Sequence, residues 1–159
     1  RSPLNHLLSE RFLVTGVLGC LGAWVARAAL TDGADVVGYD LGDDRSRLDL
    51  VLGDDAEQVA LVRGDITDLE LLERTLDDRQ VTRVVHLAAL QVPFVRANPP
   101  LGMHVNVAGT VNVFEAVAKR LGEPLVATAV VAAAAGAPGR SLGRHELRGM
   151  AEAVELVAP

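Results

Sequence analysis

The chain has 159 residues, half of them apolar but only 3% aromatic, and a formal net charge of −6. A chain of this length fits one domain, and such a domain buries roughly 70% of its unfolded surface, here against a core of Ala, Val and Leu. The acidic balance argues against a nucleic-acid or anionic-membrane surface, and no apolar run approaches the roughly 20 residues of a membrane span.

Cys20 is the single cysteine. It has no partner for an internal disulfide, so a reducing cytoplasm is the expected compartment. The opening Arg1 to Glu10 lacks the long apolar core of a secretory signal. Residues 1–11 are therefore read as an N-terminal extension.

Phe12–Thr15 reads as a buried strand, and the apolar, alanine-rich Gly19–Thr31 as a helix. Between and around them runs Thr15-Gly16-Val17-Leu18-Gly19-Cys20-Leu21-Gly22. Glycines at a strand-to-helix turn let the backbone bend tightly and let a pyrophosphate approach the N–H groups at the helix start. The next strand, Val36–Asp40, ends in an acid that can hydrogen-bond a ribose hydroxyl. A carboxylate there would repel a 2′-phosphate, so NAD is favoured over NADP, although Arg45 and Arg47 lie close enough to blur the preference.

Leu41 to Asp55 is acidic and reads as loop with at most one helical turn. Ala60–Arg63 is the third strand, followed by a helix over Leu69–Leu76 with Asp68 as N-cap and Leu71, Leu72 and Leu76 as its buried stripe. Arg83–Leu87 is the fourth strand. Pro99 and Pro100 suit the start of a long helix over Pro100–Leu121. Leu125–Val131 is the fifth strand.

Strands alternating with helices predict an α/β fold, a doubly wound parallel sheet of Rossmann type in the order 3-2-1-4-5, with the ligand cleft at the strand C-termini. Residues 12–131 would form this dinucleotide-binding domain. Residues 132–159 would form a small-residue linker and a C-terminal helix carrying Leu142, Leu147, Met150, Val154 and Val157.

Five segments in order resemble the NAD-dependent epimerase/dehydratase family, the extended short-chain dehydrogenases, over about Phe12 to Gly136. Thr15–Gly22 resembles its T-G-x-x-G-x-x-G, and Asp40 its ribose acid. Gly64-Asp65-Ile66 resembles the segment whose Asp meets the adenine. His86-Leu87-Ala88-Ala89 resembles the H-x-A-A/G segment that lines the cofactor. Asn106-Val107-Ala108-Gly109-Thr110-Val111-Asn112 resembles the N-x-x-G-T-x-N of the central helix. The resemblance implies a cofactor site of Gly16, Gly19, Cys20, Leu21, Gly22, Asp40, Asp65, Ile66, Leu87, Ala88, Ala89, Gln91 and Asn106.

Several of these keep two readings. Asp65 equally suits a turn or cap, and Asn106 equally suits a tie from helix to loop. His86 reads better as a packed, hydrogen-bonded core histidine than as a ligand. Cys20 reads better as a small residue filling the turn than as a reactive thiol. His145-Glu146 lacks the second histidine of a zinc motif, because Gly149 stands in its place, so no metal is expected.

The departures from the family bear on catalysis. A gapless alignment between Gly122 and Gly136 sets Val130 and Val131 where the family carries a Ser-Ser or Ser-Thr pair, and Ala135 at its tyrosine. The chain has one tyrosine, Tyr39, and one lysine, Lys119. Neither sits where the family's Tyr-x-x-x-Lys would fall, and hydride transfer at a carbinol needs a base with a lowered pKa. The expectation is the cofactor-binding part of a protein acting on a nucleotide-sugar or related substrate, with no catalytic residue of its own. The alternatives are a non-catalytic dinucleotide-binding or sensing module and an interaction scaffold. A homodimer through the central helix is the expected macromolecular contact, and a small-molecule substrate is expected only in a longer form.

Overall fold

The computed structural model describes residues 10–121, 127–128, 140–145 and 154–158. The chain divides into two units, Arg1–Leu121 and Gly122–Pro159.

In the first unit four parallel strands stand in the order β3-β2-β1-β4. They are β1 (Arg11–Thr15), β2 (Asp35–Asp40), β3 (Val59–Arg63) and β4 (Arg83–His86). Register runs from Arg11 opposite Asp35 to Thr15 opposite Tyr39, and Phe12 lies opposite Arg83. Successive strand residues point to opposite faces. Val14 and Val36 therefore pack under α1 (Cys20–Thr31) and α2 (Ser46–Leu52), whereas Leu13 and Val37 pack under α3 (Leu69–Asp78) and α6 (Thr110–Leu121). This is the two-faced Rossmann-type arrangement that the alternating pattern predicts.

The helices follow local sequence. Gly22, Ala23, Ala26 and Ala29 are the buried face of α1, and such small side chains let it lie close on the sheet. Asp68 caps α3 by accepting from Leu71 N at 2.9 Å, and Leu72 and Leu76 are buried beneath it. The expected loop over 41–55 is corrected: α2 and a 3-10 segment, Gly53–Gln58, occupy its second half. Leu48 and Leu52, one turn apart and both buried, supply an apolar stripe that the flanking acids obscure.

The expected long helix is present, running from Pro99 to Leu121, with a π-helical interruption. A short α4 (Val92–Ala97) precedes it, and Asn98 then caps α5 (Pro99–Met103) by accepting from Leu101 N at 3.2 Å. A π-helical segment, His104–Gly109, joins α5 to α6. Such widened turns occur mostly as single insertions, often at functional sites.

In the second unit β5 (Ala127–Thr128) and β6 (Arg140–His145) both pair antiparallel with β7 (Val154–Ala158). The expected fifth parallel strand is corrected for its described part, since Ala127 and Thr128 pair with Val157 and Leu156. An antiparallel partner needs no helical crossover and so costs less chain ordering. The expected C-terminal helix is corrected as well: Leu142 lies in β6, and Val154 and Val157 lie in β7. Gly143 and Gly149 each cost a helix about 1 kcal/mol relative to Ala, and the valine-rich 154–158 favours extended backbone. Leu147, Met150, the stretch 132–139 with Ala135, Val130 and Val131 lie outside the described residues. So does most of the N-terminal extension. Among the described residues no helix is long and apolar enough to cross a membrane.

Candidate functional site

The carboxyl ends of the four parallel strands open onto a cleft of about 600 Å³. Its floor is the turn from β1 into α1. Gly16 turns the chain with φ +72°, a left-handed conformation that a side chain would strain. Its N–H donates to Tyr39 O at 2.8 Å, and Gly19 N donates to Gly16 O at 3.0 Å. A Cβ on Gly16 would lie 2.8 Å from Ala88 N, and one on Gly22 would lie 2.6 Å from Val17 Cα. The glycines thus hold turn, helix and the β4 exit in backbone contact.

Ala23 N is the first amide of α1 to find its partner one turn back, at Gly19 O. The N–H groups of Cys20, Leu21 and Gly22 therefore face the cleft as the orphan donors of a helix start, where the helix dipole also favours an anion. A side chain on either tight glycine would push against backbone, Ala88 from Gly16 and Val17 from Gly22, and so distort the helix start.

Asp40 ends β2. Its Oδ2 accepts from Leu18 N at 3.0 Å and its Oδ1 from Gly42 N at 3.1 Å. Both carboxylate oxygens are thereby oriented, and each keeps a lone pair for a hydroxyl donor. Arg47 and Asp44 stand beside it on the cleft wall. Ser46, donating through its backbone and side chain, holds the Asp44 carboxyl below its usual range. Arg45 is turned to Ala56 O, Asp49 and Glu57 instead.

At the end of β3, Gly64 lies so close to the Tyr39 ring that a Cβ would come within 2.6 Å of Tyr39 Cε2. The Tyr39 hydroxyl donates to Asp65 O at 2.9 Å, and burial, with Asp68 and Asp65 nearby, raises its pKa well above that of a free phenol. Asp65 Oδ1 accepts from Thr67 N at 2.8 Å, so it closes a turn while its residue lines the cleft. The turn reading of Asp65 is met in this geometry, and the residue also borders the cleft.

The far wall is the exit of β4. His86 is half-buried between Thr15 Oγ1, 2.7 Å from Nδ1, and Thr110 Oγ1, 3.0 Å from Nε2. Burial lowers its pKa. It is the packed, hydrogen-bonded histidine that the sequence predicts. Leu87, Ala88, Ala89 and Gln91 line the cleft beyond it.

The structure therefore brings Gly16, Gly19, Cys20, Leu21, Gly22, Asp40, Asp65, Ile66, Leu87, Ala88, Ala89 and Gln91 to one cleft. Asn106 stands apart. Its Oδ1 accepts from Leu90 N at 2.7 Å and its Nδ2 donates to Leu90 O at 3.0 Å, so it ties the π segment to the wall loop. Leu18, Tyr39, Leu41, Gly42, Gly64, Leu90 and Val105 also line the cleft, although the sequence does not mark them as site residues. Leu18 and Gly64 were within reach, because each sits inside a motif already singled out. Val105 was hidden by the π turn. Cys20 is exposed at the mouth. Among the described residues no group of His, Cys, Asp and Glu side chains could hold a metal ion.

A glycine-turned parallel sheet with helices on both faces and a cleft at its strand C-termini defines a Rossmann-type α/β domain. The family model described as GDP-mannose 4,6 dehydratase matches residues 13–132, and the chain belongs to this family of NAD-dependent epimerase/dehydratase type. Among curated proteins it is 34% identical over 111 residues to UDP-glucuronate 4-epimerase 2 of Arabidopsis thaliana, covering 65% of this chain and 25% of that protein. The chain thus spans about a quarter of the length of the curated relatives it matches. Among solved structures, the UDP-glucose 4-epimerase of Thermus thermophilus in complex with NAD superimposes with a TM-score of 0.61 at 29% identity, over 70% of this chain and 34% of that one. The Bordetella bronchiseptica enzyme WbmG in complex with NAD and UDP gives 0.60 at 31%, over 72% and 36%.

Proposed function

We propose that this chain binds NAD in the cleft and serves as the cofactor-binding part of a protein acting on a nucleotide-sugar. The observation that carries this reading is the pairing of three orphan helix amides with Asp40, whose carboxylate is oriented by Leu18 N and Gly42 N. The amides suit the diphosphate and the carboxylate suits the ribose diol of a cofactor without a 2′-phosphate. Asp65 and Ile66 would border the adenine, and Leu87–Ala89 with Gln91 the nicotinamide half. The epimerase structures that this chain resembles were solved with NAD, which is consistent with this assignment.

NAD, when bound in such a site, supplies the hydride acceptor for oxidation of a sugar carbinol. No residue here is assigned to the proton transfer. The one tyrosine, Tyr39, is buried and spends its hydroxyl on Asp65 O, and the one lysine, Lys119, is paired with Glu73 and Glu115. In a gapless alignment between Gly122 and Gly136, Val130, Val131 and Ala135 fall at the family's hydroxyl positions, which supports this reading. A polypeptide of these 159 residues is therefore proposed to bind the cofactor without turning over a nucleotide-sugar. This favours, as second reading, a dinucleotide-binding or sensing module that performs no chemistry. A titration with NAD tests the binding that both readings share. NADH formation with UDP-sugars by a longer polypeptide that contains this chain would favour the first reading, and its absence there the second.

An exposed apolar stripe running from α5 through the π segment to α6, Met103, Val107, Val111 and Phe114, supports a further part of the proposal. Residues at this spacing share one helix face. A second copy of this chain would cover them in a homodimer.

A further inference from the structure

The wall loop between Leu87 and Leu90 is held at both ends by one chain of hydrogen bonds, and the donors in that chain can be assigned by counting. Thr15 Oγ1 accepts from Leu87 N at 3.1 Å and from Ala88 N at 3.2 Å, which uses both its lone pairs. Its proton must then go to His86 Nδ1, 2.7 Å away, which is the acceptor. The histidine proton consequently sits on Nε2 and is donated to Thr110 Oγ1 at 3.0 Å. Thr110 in turn donates to Asn106 O at 2.8 Å, and the Asn106 carboxamide clasps both the N–H and the carbonyl of Leu90.

We propose that His86, held neutral with its proton on Nε2, is the positioning residue that fixes the Leu87–Leu90 wall of the cleft, and that acid releases this wall and weakens dinucleotide binding. The proposal rests on the NAD reading above for its functional consequence, and not for the network itself. A proton added to Nδ1 gives Thr15 Oγ1 a third donor for two lone pairs. Leu87 N is shared with Thr15 O at 3.2 Å and keeps that partner, so Ala88 N is the amide that must let go. Ala88 is also the residue whose backbone Gly16 meets, so the disturbance reaches the glycine turn.

Among the described residues the packed elements offer no charge that would compete for this role. On β1 the charged group is Arg11, paired with Asp35 at the far end of the strand. On β4 itself Arg83 pairs with Glu10. On α6, Glu115, Lys119 and Arg120 are engaged with one another or with Glu73 and Asp77. His104, on the segment that carries Asn106, is exposed. Burial, which lowers the His86 pKa, places the release below its ordinary value of 6.5.

The test uses the whole chain and needs no ligand for its first arm. Histidine ring nitrogen spectroscopy at about pH 8 is expected to show His86 with Nδ1 unprotonated, and amide exchange is expected to show Leu87 and Ala88 protected. As the pH falls below 6.5 the protection factor of Ala88 should fall in the wild type but not in His86→Gln, which keeps an acceptor and a donor without titrating, while Leu87 stays protected by Thr15 O. Thr110→Val should loosen Leu90 and Thr110→Ser should restore it, which covers the case of a poorly folded His86 variant. In the second arm NAD affinity should fall progressively as the pH drops below 6.5 in the wild type, and change less than about twofold over the same range in His86→Gln. A proton on Nδ1 at pH 8, or the same acid loss in His86→Gln as in the wild type, overturns the proposal. Failure of NAD to bind at pH 8 refutes the cofactor reading, and the exchange arm still decides the network.

Discussion

Gly22→Ala separates a cleft built on backbone contact from a glycine-rich corner that merely happens to be small. A Cβ at this position lies inside van der Waals contact of Gly16 O, 2.6 Å from Val17 Cα and 2.8 Å from Val17 C, whereas ordinary contact begins at 3.4 Å. All three atoms belong to the backbone, so none can rotate aside. The turn itself is pinned, because Gly16 N bonds Tyr39 O and Val17 is fully buried. The helix must therefore move. Overpacking of this kind costs about 3 kcal/mol, against about 1 kcal/mol gained from alanine's helix propensity. The net loss of about 2 kcal/mol should lower Tm by about 5–10 °C in a unit of this size. Moving α1 also misaligns the Cys20, Leu21 and Gly22 amides, and NAD affinity should fall at least about tenfold by calorimetry. Gly33→Ala is the control. Its φ is +82° with nothing within 4 Å, so it should cost about 1–2 kcal/mol of stability and leave NAD affinity unchanged. A Gly22→Ala chain that melts and titrates like the wild type refutes the reasoning.

Tyr39→Phe removes the donor to Asp65 O while keeping the ring against Gly64, and should cost about 1 kcal/mol in thermal melts with a less than about threefold change in NAD affinity. Val107→Asp/Val111→Asp places charges on exposed positions of the apolar stripe, so the variant should stay folded by circular dichroism. If a second copy covers that face, light scattering will show a dimer in the wild type and a monomer in this variant. An unchanged mass refutes pairing through α6. A mixture of the chain, NAD and UDP-glucose should produce no absorbance at the NADH wavelength, and a steady rise would assign the chain a base that Tyr39 and Lys119 do not supply.

The parts of the structure legible in the sequence are those fixed by near neighbours. The glycine turn, the acid closing β2 and the Asp68 cap each depend on a few consecutive residues, and each falls where its spacing predicts. The face-to-face split of Leu13 from Val14 and of Val36 from Val37 follows from strand alternation alone. What escaped depends on distant partners. The π turn at His104–Gly109 sets Gly109 against Ile66, where a Cβ would come within 2.7 Å of its side chain, and no local pattern announces that contact. For Asn106 the sequence left a cofactor contact and a tie from helix to loop equally open, and only the partner, Leu90 sixteen positions away, shows the tie. The antiparallel partners of Ala127–Thr128 escaped for the same reason, because Val157 and Leu156 lie far along the chain.

The most direct test of the central claim is a calorimetric titration of the folded chain with NAD, repeated on Asp40→Ala. The variant loses the acceptor of Leu18 N and Gly42 N as well as the proposed ribose contact, and hydrogen bonds to a charged group contribute about 1.5–3 kcal/mol each. Saturable binding in the micromolar range, weakened at least about tenfold by Asp40→Ala, is the predicted result. No heat from the folded wild-type chain, or equal affinity in the variant, would contradict it.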